Sequence, residues 1–417
     1  MALLTRRRTA LALGALALGA LVGGCRAREA DDNGIVVFRH PKLFGDPGPF
    51  DALIAGFERA SGIRVRRDAL PASSDEQHLF YAINLQARSR EFDVLALDAI
   101  WVAEFAQAGW LRDLTHLLPP EHGADLFPGP RESVTWRERI HALPWFADAG
   151  LLYYRKDLLD RHGLSPPGTW QGLMDAARVV TRQRPGLHGF VWQGKQYEGL
   201  VCNALEFVRS HGGDLAAAQA DAAARGLAFM RALVTEGVTP AYVTTLTEEP
   251  TRVIFGRGGA LFLRNWPYAW RLLEREGSPV RGRVGVSVLP HAPGHAAAAT
   301  LGGWQLGVNA HSPRPESAER LAAFLAAAPA QKALALAYGY SPPRRSLYDD
   351  AELAAAQPFI ARLRAVLEAA RPRPVSPQYV ALSQTLQAQF SAVLTGARAP
   401  ETALAAIRRV ATMLQTR

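Results

Sequence analysis

The residues best suited to chemistry in this chain are single carboxylates and large aromatics that collect at the ends of expected strands. Asp98 closes the run 92–97 and is followed by Trp101. Trp145 and Phe146 precede Asp148, just ahead of the run 151–154. Trp266 follows the run 260–265, with Tyr268 and Trp270 after it. Gly302 and Gly303 lead into Trp304, and Arg373 lies in the Arg–Pro–Arg–Pro segment 371–374. Two chemistries fit such a set. Asp98 with Asp148 or Glu249 could form the paired carboxylates of a glycan-cleaving enzyme. The same residues could instead hold a hydroxyl-rich solute without cutting it, aromatic rings covering its C–H faces while carboxylates and an arginine fix its hydroxyls. Two glycines before Trp304 would let such a ligand come close to the backbone.

Each position also has a plain structural reading. A Trp at a strand end often packs a core. Asp98 could cap a helix beginning at 100, Arg373 could satisfy helix carbonyls, and Glu248–Glu249 reads as a solvated turn before Pro250.

Other chemistries find little support. His291 and His295 have HxxxH spacing, but Pro293 and Gly294 deny them a helix, so no metal is expected. Cys25 and Cys202 are the only cysteines, too few for a thiolate zinc site. Cys202 lies in the apolar stretch 200–208 and reads as a buried small hydrophobe. No phosphate loop, dinucleotide fingerprint or GxSxG elbow stands in a supporting context, so no cofactor is expected. The formal charge is +9, yet the arginines are scattered and only Lys42, Lys156, Lys195 and Lys332 are lysine. That pattern argues against a nucleic-acid partner.

The elements that must position these residues alternate. Strand-like runs at 35–38, 63–65 and 92–97 are separated by helical spacing at 50–61, 79–88 and 100–108. The alternation restarts with a strand at 151–154, a helix over 170–182 capped by Thr169, and extended runs at 189–192, 259–265, 284–289 and 300–309. Pro267 is expected to open a helix. Beyond 316 the pattern is helical, over 316–327, 331–338, 351–370 and 376 to the end. This predicts an α/β protein with two bodies, each a mostly parallel sheet flanked by helices, and a helical C-terminal tail. No linker separates two independent halves.

The first residues read as an export signal. Arg6, Arg7 and Arg8 form a positive start, and 10–22 is an apolar and glycine run too short to span a membrane. Val22–Gly23–Gly24–Cys25 resembles a bacterial lipobox, which implies lipidation of Cys25, signal residues 1–24 and a tether over 25–34. One acyl chain anchors weakly, so more than one is expected there. A plain signal peptide is the alternative, and the arginines fit either the general or the twin-arginine export route.

Several segments together resemble one family. DVLALDAIW (93–101), LPWFADAGLLYYRKD (143–157), GFVWQGKQYEGL (189–200), RNWPYAW (264–270) and LGGWQL (301–306) are similar, in this order, to the extracellular solute-binding proteins of ABC importers. Within these they resemble the maltose-binding-protein-like, trehalose/maltose-binding branch. The resemblance implies a two-lobed, hinged type II periplasmic binding protein fold. One lobe would comprise 35–145 and 295–345, the other 146–294 and 346–417. It implies no catalysis but capture of a di- or oligosaccharide, delivery to permease transmembrane subunits, an extracytoplasmic location at the membrane, and a monomer. Asp98, Asp148, Trp266, Tyr268, Gly303, Trp304 and Arg373 match the family's ligand positions. Phe146 stands where relatives commonly carry Tyr, and the segment 73–78, with Gln77 and His78, loosely matches a polar ligand loop. The first loop, 39–47, lacks the acidic ligand residue expected there. These departures leave a polyol or glycoside ligand, or a sensor in place of a permease, as alternatives.

Overall fold

Nine strands and the helices between them build two sheets, and two further strands form a hairpin, in a computed structural model that describes residues 34–215 and 219–415. The export signal and Cys25 lie outside the described residues. From Val36 onward the chain forms one compact unit. The strands are β1 (Ile35–Pro41), β2 (Arg64–Leu70), β3 (Val94–Asp98), β4 (Thr135–Trp136), β5 (Arg139–Ile140), β6 (Leu143–Ala149), β7 (Leu151–Arg155), β8 (His188–Val191), β9 (Ala260–Asn265), β10 (Val284–Ser287) and β11 (Leu301–Val308). The first sheet has the order β2–β1–β3–β11–β6 and the second β10–β7–β9–β8, while β4 and β5 form a small hairpin.

The sheets are mixed, which corrects the expectation of mostly parallel ones. β1 and β3 run parallel, but β11 runs antiparallel to both β3 and β6. In the second sheet β8 and β9 are parallel, and β7 is antiparallel to β9 and β10. The reason is topological. β11 enters the first sheet on its return from the second, and apolar periodicity does not encode the end from which a strand enters.

The chain crosses between the sheets at Gly150, since β6 stays in the first sheet through Ala149 and β7 begins the second at Leu151. A side chain at 150 would collide with the buried Glu206–Arg264 ion pair, with Arg264 Nη2 2.8 Å from where its Cβ would sit.

Local sequence explains much of the helical frame. In helix Trp170–Arg182, Thr169 Oγ1 accepts the Gly172 amide at 3.1 Å, and Trp170, Leu173, Met174, Ala177 and Val180 are buried at the spacing of one helix face. Three other expectations change. The segment 73–78 is not a loop but the start of helix Ser74–Gln86, capped by the Ser73 hydroxyl on the Glu76 amide. Glu248 and Glu249 form the first turn of helix Glu248–Gly256 rather than a free turn; Pro250 is tolerated there because the first amides of a helix have no intrahelical partner. Pro267 precedes a short helix, Ala269–Leu273, rather than opening it. The tail is also more divided than its pattern predicts. It holds Ala351–Ala356, Ile360–Ala369, Tyr379–Thr395 and Pro400–Gln415, with breaks around Pro358 and Pro374 and a left-handed Gly396 cap.

Three apolar clusters fill the interior. One lies under the first sheet around Phe38, Phe50, Trp101, Phe105 and Trp145. A second, around Trp170, Phe207, Leu386 and Phe390, packs the tail helices against the second sheet's helices. The third takes Ala147 and Leu301 from the first sheet and Tyr153 and Leu263 from the second. Burying a side chain of this kind contributes about 1.5–3 kcal/mol, so the third cluster is a firm base for residues that project from both sheets.

Candidate ligand-binding site

Cross-strand register assembles the first half of the site. On β11, Trp304 stands opposite Asp98 of β3 and Phe146 of β6, and Gly302 stands opposite Asp148. Opposed and alternate residues share a sheet face, so Asp98, Asp148, Gly302 and Trp304 line one surface, while the Phe146 ring is buried against Tyr340. Trp304 is partly exposed and meets the buried Trp101 edge-on at 5.8 Å. Gly303 has φ +110°, and a Cβ there would strike the Phe146 carbonyl and lie 2.8 Å from Ala147 Cα. Glycine is therefore a steric requirement at 303.

The second half comes from the end of β9. Trp266 approaches so closely that a Cβ on Gly302 would sit 3.3 Å from its Cζ3 and Cη2 and 3.5 Å from Asp148 Cβ. The Arg264 guanidinium lies 3.8 Å from the centre of the Trp266 indole and is itself held by Glu206, at 2.5 and 2.9 Å. The indole N–H points to Glu248 Oε1 at 3.4 Å. Tyr268 donates its hydroxyl to Glu249 Oε1 at 2.9 Å, and its ring stacks on Phe44 of the first loop at 5.3 Å. Glu249 is fixed from the other side by Arg252 at 2.7 Å.

Asp148 lies between these halves. It is 8% exposed, and its Oδ1 is enclosed with no hydrogen-bond partner. Burial pushes its carboxyl up to about 7; Arg264 pulls it down and Asp98 pushes it further up. A buried carboxylate without donors costs several kcal/mol, so this oxygen either keeps a proton or receives donors from outside the chain.

Arg373 joins parts of the fold rather than capping a helix. Its Nη2 donates to Asp98 Oδ1 at 2.7 Å and its Nη1 to Glu198 Oε1 at 2.8 Å. Glu198 opens helix Glu198–Ser210 and also accepts Tyr379 at 2.8 Å and Ser383. Burial raises the Glu198 carboxyl, and Arg373 opposes that shift. Asp98 does turn locally onto the Ile100 amide at 3.3 Å, but the helix begins only at Val102.

The structure therefore brings together Asp98, Asp148, Trp266, Gly303, Trp304 and Arg373, with Tyr268 beside them. Two expected residues face elsewhere. Gln77 is fully buried and donates to Pro71 O at 2.6 Å; Phe146 is buried and stacks flat on Tyr340 at 4.2 Å. His78 pairs with Glu104 at 2.9 Å and rests against Trp101 at 5.7 Å. Near it, burial raises the Asp75 carboxyl, Asp98 adds to the shift, and His78 and Lys195 oppose it. Sequence reasoning missed Phe44, Glu198, Glu248 and Arg264 as partners of the site, weighed Glu249 only as a catalytic carboxylate or part of a solvated turn, and did not single out Asp75 within the segment 73–78. For Asp75 a signal existed, because Ser73–x–x–Glu76 is a capping-box pattern that starts a helix there.

The profile of the family described as "Bacterial extracellular solute-binding protein" matches residues 44–332. The chain belongs to this family. Its members bind solutes and are not enzymes, so the paired-carboxylate reading falls. This solute-binding protein is 37% identical over 367 residues to a "Probable ABC transporter-binding protein" of Deinococcus radiodurans, covering 83% of this chain and 85% of the relative. Its fold matches the maltose-bound MalE3 of T. maritima with TM-score 0.85 and 40% identity, over 91% of this chain and 100% of the other. It also matches a solute-binding protein of Thermotoga lettingae bound with alpha-D-tagatose, with TM-score 0.79 and 26% identity over 91% and 99% of the two chains. The α/β periplasmic binding protein fold, two sheets flanked by helices, follows from the first of these structures.

Proposed function

We propose that this solute-binding protein is the sugar-capturing component of an ABC importer, holding a di- or oligosaccharide of the trehalose or maltose kind between two hinged lobes. One observation carries the reading: Asp148 Oδ1 is enclosed without a partner, and the Trp266 ring and Asp148 Cβ both lie within 3.5 Å of where a side chain on Gly302 would begin. A sugar offers both things this arrangement lacks, hydroxyl donors for the carboxylate and C–H faces for the indoles of Trp266 and Trp304. The maltose and tagatose named with the two structural relatives support the same class of ligand.

The lobes are the two sheets with their helices, approximately 35–149 with 295–345 and 151–294 with 346–417; the first boundary lies beyond the expected residue 145 because β6 stays in the first sheet through Ala149. Asp98, Asp148, Trp266, Tyr268, Gly303, Trp304 and Arg373 form the ligand site, with Gln77, His78 and Phe146 shaping its floor from behind. A ligand that touches both lobes stabilises the closed form through its differential contacts. The closed protein, a monomer tethered outside the cytoplasm by lipid on Cys25, then docks on permease transmembrane subunits.

Thermal shift and calorimetry against trehalose, maltose, sucrose, glycerol glycosides and monosaccharides test this. One of them should bind saturably at one site without being consumed. Failure of the whole set to shift the melting temperature would overturn the sugar reading.

A further inference from the structure

Glu206 is an acid in an apolar setting. It lies in the third turn of helix Glu198–Ser210, between the buried Leu205 and Phe207, and is itself 2% exposed. A charge taken out of water is costly unless it is paired and hydrogen-bonded, so the partners of this carboxylate account for its place. Arg264 Nη2 and Nε donate to its two oxygens at 2.5 and 2.9 Å, the bidentate fit of a guanidinium on a carboxylate. Arg264 Nη1 donates to Gln193 Oε1 at 3.2 Å, and Gln193 Nε2 donates in return to the Arg264 carbonyl at 2.9 Å. The buried guanidinium is thus held at all three of its nitrogens, and it lies over one face of the Trp266 indole. The other face of that partly exposed ring is left for a solute.

The same carboxylate reaches the strand that carries the second indole. Glu206 Oε1 accepts the Thr300 amide at 3.2 Å, one residue before β11 begins, and Trp304 stands four residues further along. The Thr300 hydroxyl donates to the Cys202 carbonyl of the same helix at 3.0 Å. Glu206 also adjoins Gly150, where the chain passes from β6 to β7. One side chain therefore bonds both to the platform under Trp266 and to the root of the strand that bears Trp304, although the two rings belong to different sheets. Two rings that cover one guest must keep a fixed spacing, and displacements of about 1 Å are enough to lose such a fit.

We propose that Glu206 is a positioning residue, fixing the Trp266 indole through Arg264 and its spacing from Trp304 through Thr300 without touching the ligand, a role that rests on the sugar reading of the site. Calorimetry with maltose and trehalose, beside thermal melting, tests it on the full protein, on Glu206→Gln and on the double variant Glu206→Leu/Arg264→Met. Glu206→Gln keeps the shape but loses one acceptor for Arg264, and should weaken the bound sugar about tenfold, the scale of one cation–π contact released. The double variant exchanges a buried ion pair for apolar side chains of similar size, which leaves the melting temperature near the parent's. It should weaken the sugar at least as much. Its pH profile is a second readout. Burial pushes the Asp148 carboxyl up to about 7 and Arg264 opposes that shift; Asp98, Tyr153, Tyr340 and Tyr348 are the other titratable groups that face it. Sugar hydroxyls donate to the ionised carboxyl, so affinity rises as Asp148 ionises, and without Arg264 that rise should move to higher pH. A role confined to the fold would leave the profile in place. Unchanged affinity in either folded variant, an unmoved profile in a folded double variant, or loss of the folded state in both would overturn the positioning role while the sugar reading survives. Absence of binding of either sugar to the unmodified protein would overturn the maltose- or trehalose-like reading as well.

Discussion

Asp148 and Gly302 face each other across the β6–β11 ladder, and the missing side chain at 302 is what lets the Trp266 indole descend to within van der Waals distance of that pair. A ring from the end of β9, in the second sheet, thereby reaches the Asp148–Gly302 pair of the first. The arrangement leaves one buried oxygen without a donor, and the consequences of that can be measured.

The first consequence is a pair of opposite pH dependences. The folded carboxyl of Asp148 sits at about 7, above its ordinary value near 3.8. Its contribution to the stability of the sugar-free protein is therefore complete below about 4 and is lost as pH rises through about 7. Sugar hydroxyls donating to the charged form reverse the sign for binding, so affinity should rise between pH 5 and 8. Asp148→Asn should flatten both slopes, read as melting temperature and calorimetric Kd across that range. A Kd that does not respond to pH in the parent protein would count against Asp148 as an acceptor.

Trp304→Ala should weaken sugar binding by about 2–3 kcal/mol, some 30- to 150-fold, because it removes a partly exposed ring from the shared surface. The melting temperature of the free protein should change little by comparison. Unaltered affinity in a folded variant would remove Trp304 from the site.

Gly303→Ala should act on the fold itself. With φ at +110° and the Phe146 carbonyl in the way, the substitution should cost about 2–4 kcal/mol in denaturant unfolding, more than an ordinary Gly→Ala change in a strand.

The Asp98–Arg373–Glu198 network should behave as a buried unit. Arg373→Met leaves two buried carboxylates without their cation and should destabilise by about 3–5 kcal/mol. Adding Asp98→Asn and Glu198→Gln should recover a large part of that loss. Recovery from neither addition would mean that Arg373 acts through packing alone.

The amino-acid pattern alone revealed most of the strands and helices, the crossing segment around 143–157, and the residue kinds gathered at strand ends. It did so because apolar spacing, caps such as Thr169 and glycine–aromatic pairs are local signals. It also carried the family resemblance and singled out residues that the structure brings together, among them Asp98, Trp304 and Arg373. Tertiary structure decided what those residues do. Trp145 and Trp304 look alike in the chain, yet one is buried against Phe38 and Phe50 and the other remains partly exposed. Gln77 and Phe146 turned into the interior, and Glu248 and Glu249 became partners of Trp266 and Tyr268 across 18 and 19 residues. The direction of β11, the pairing of Asp98 with a residue 275 positions away, and the isolation of the Asp148 oxygen are long-range facts. Side-chain partners at such separations are set by how sheets and helices close on one another, and composition and periodicity hold no record of that closure.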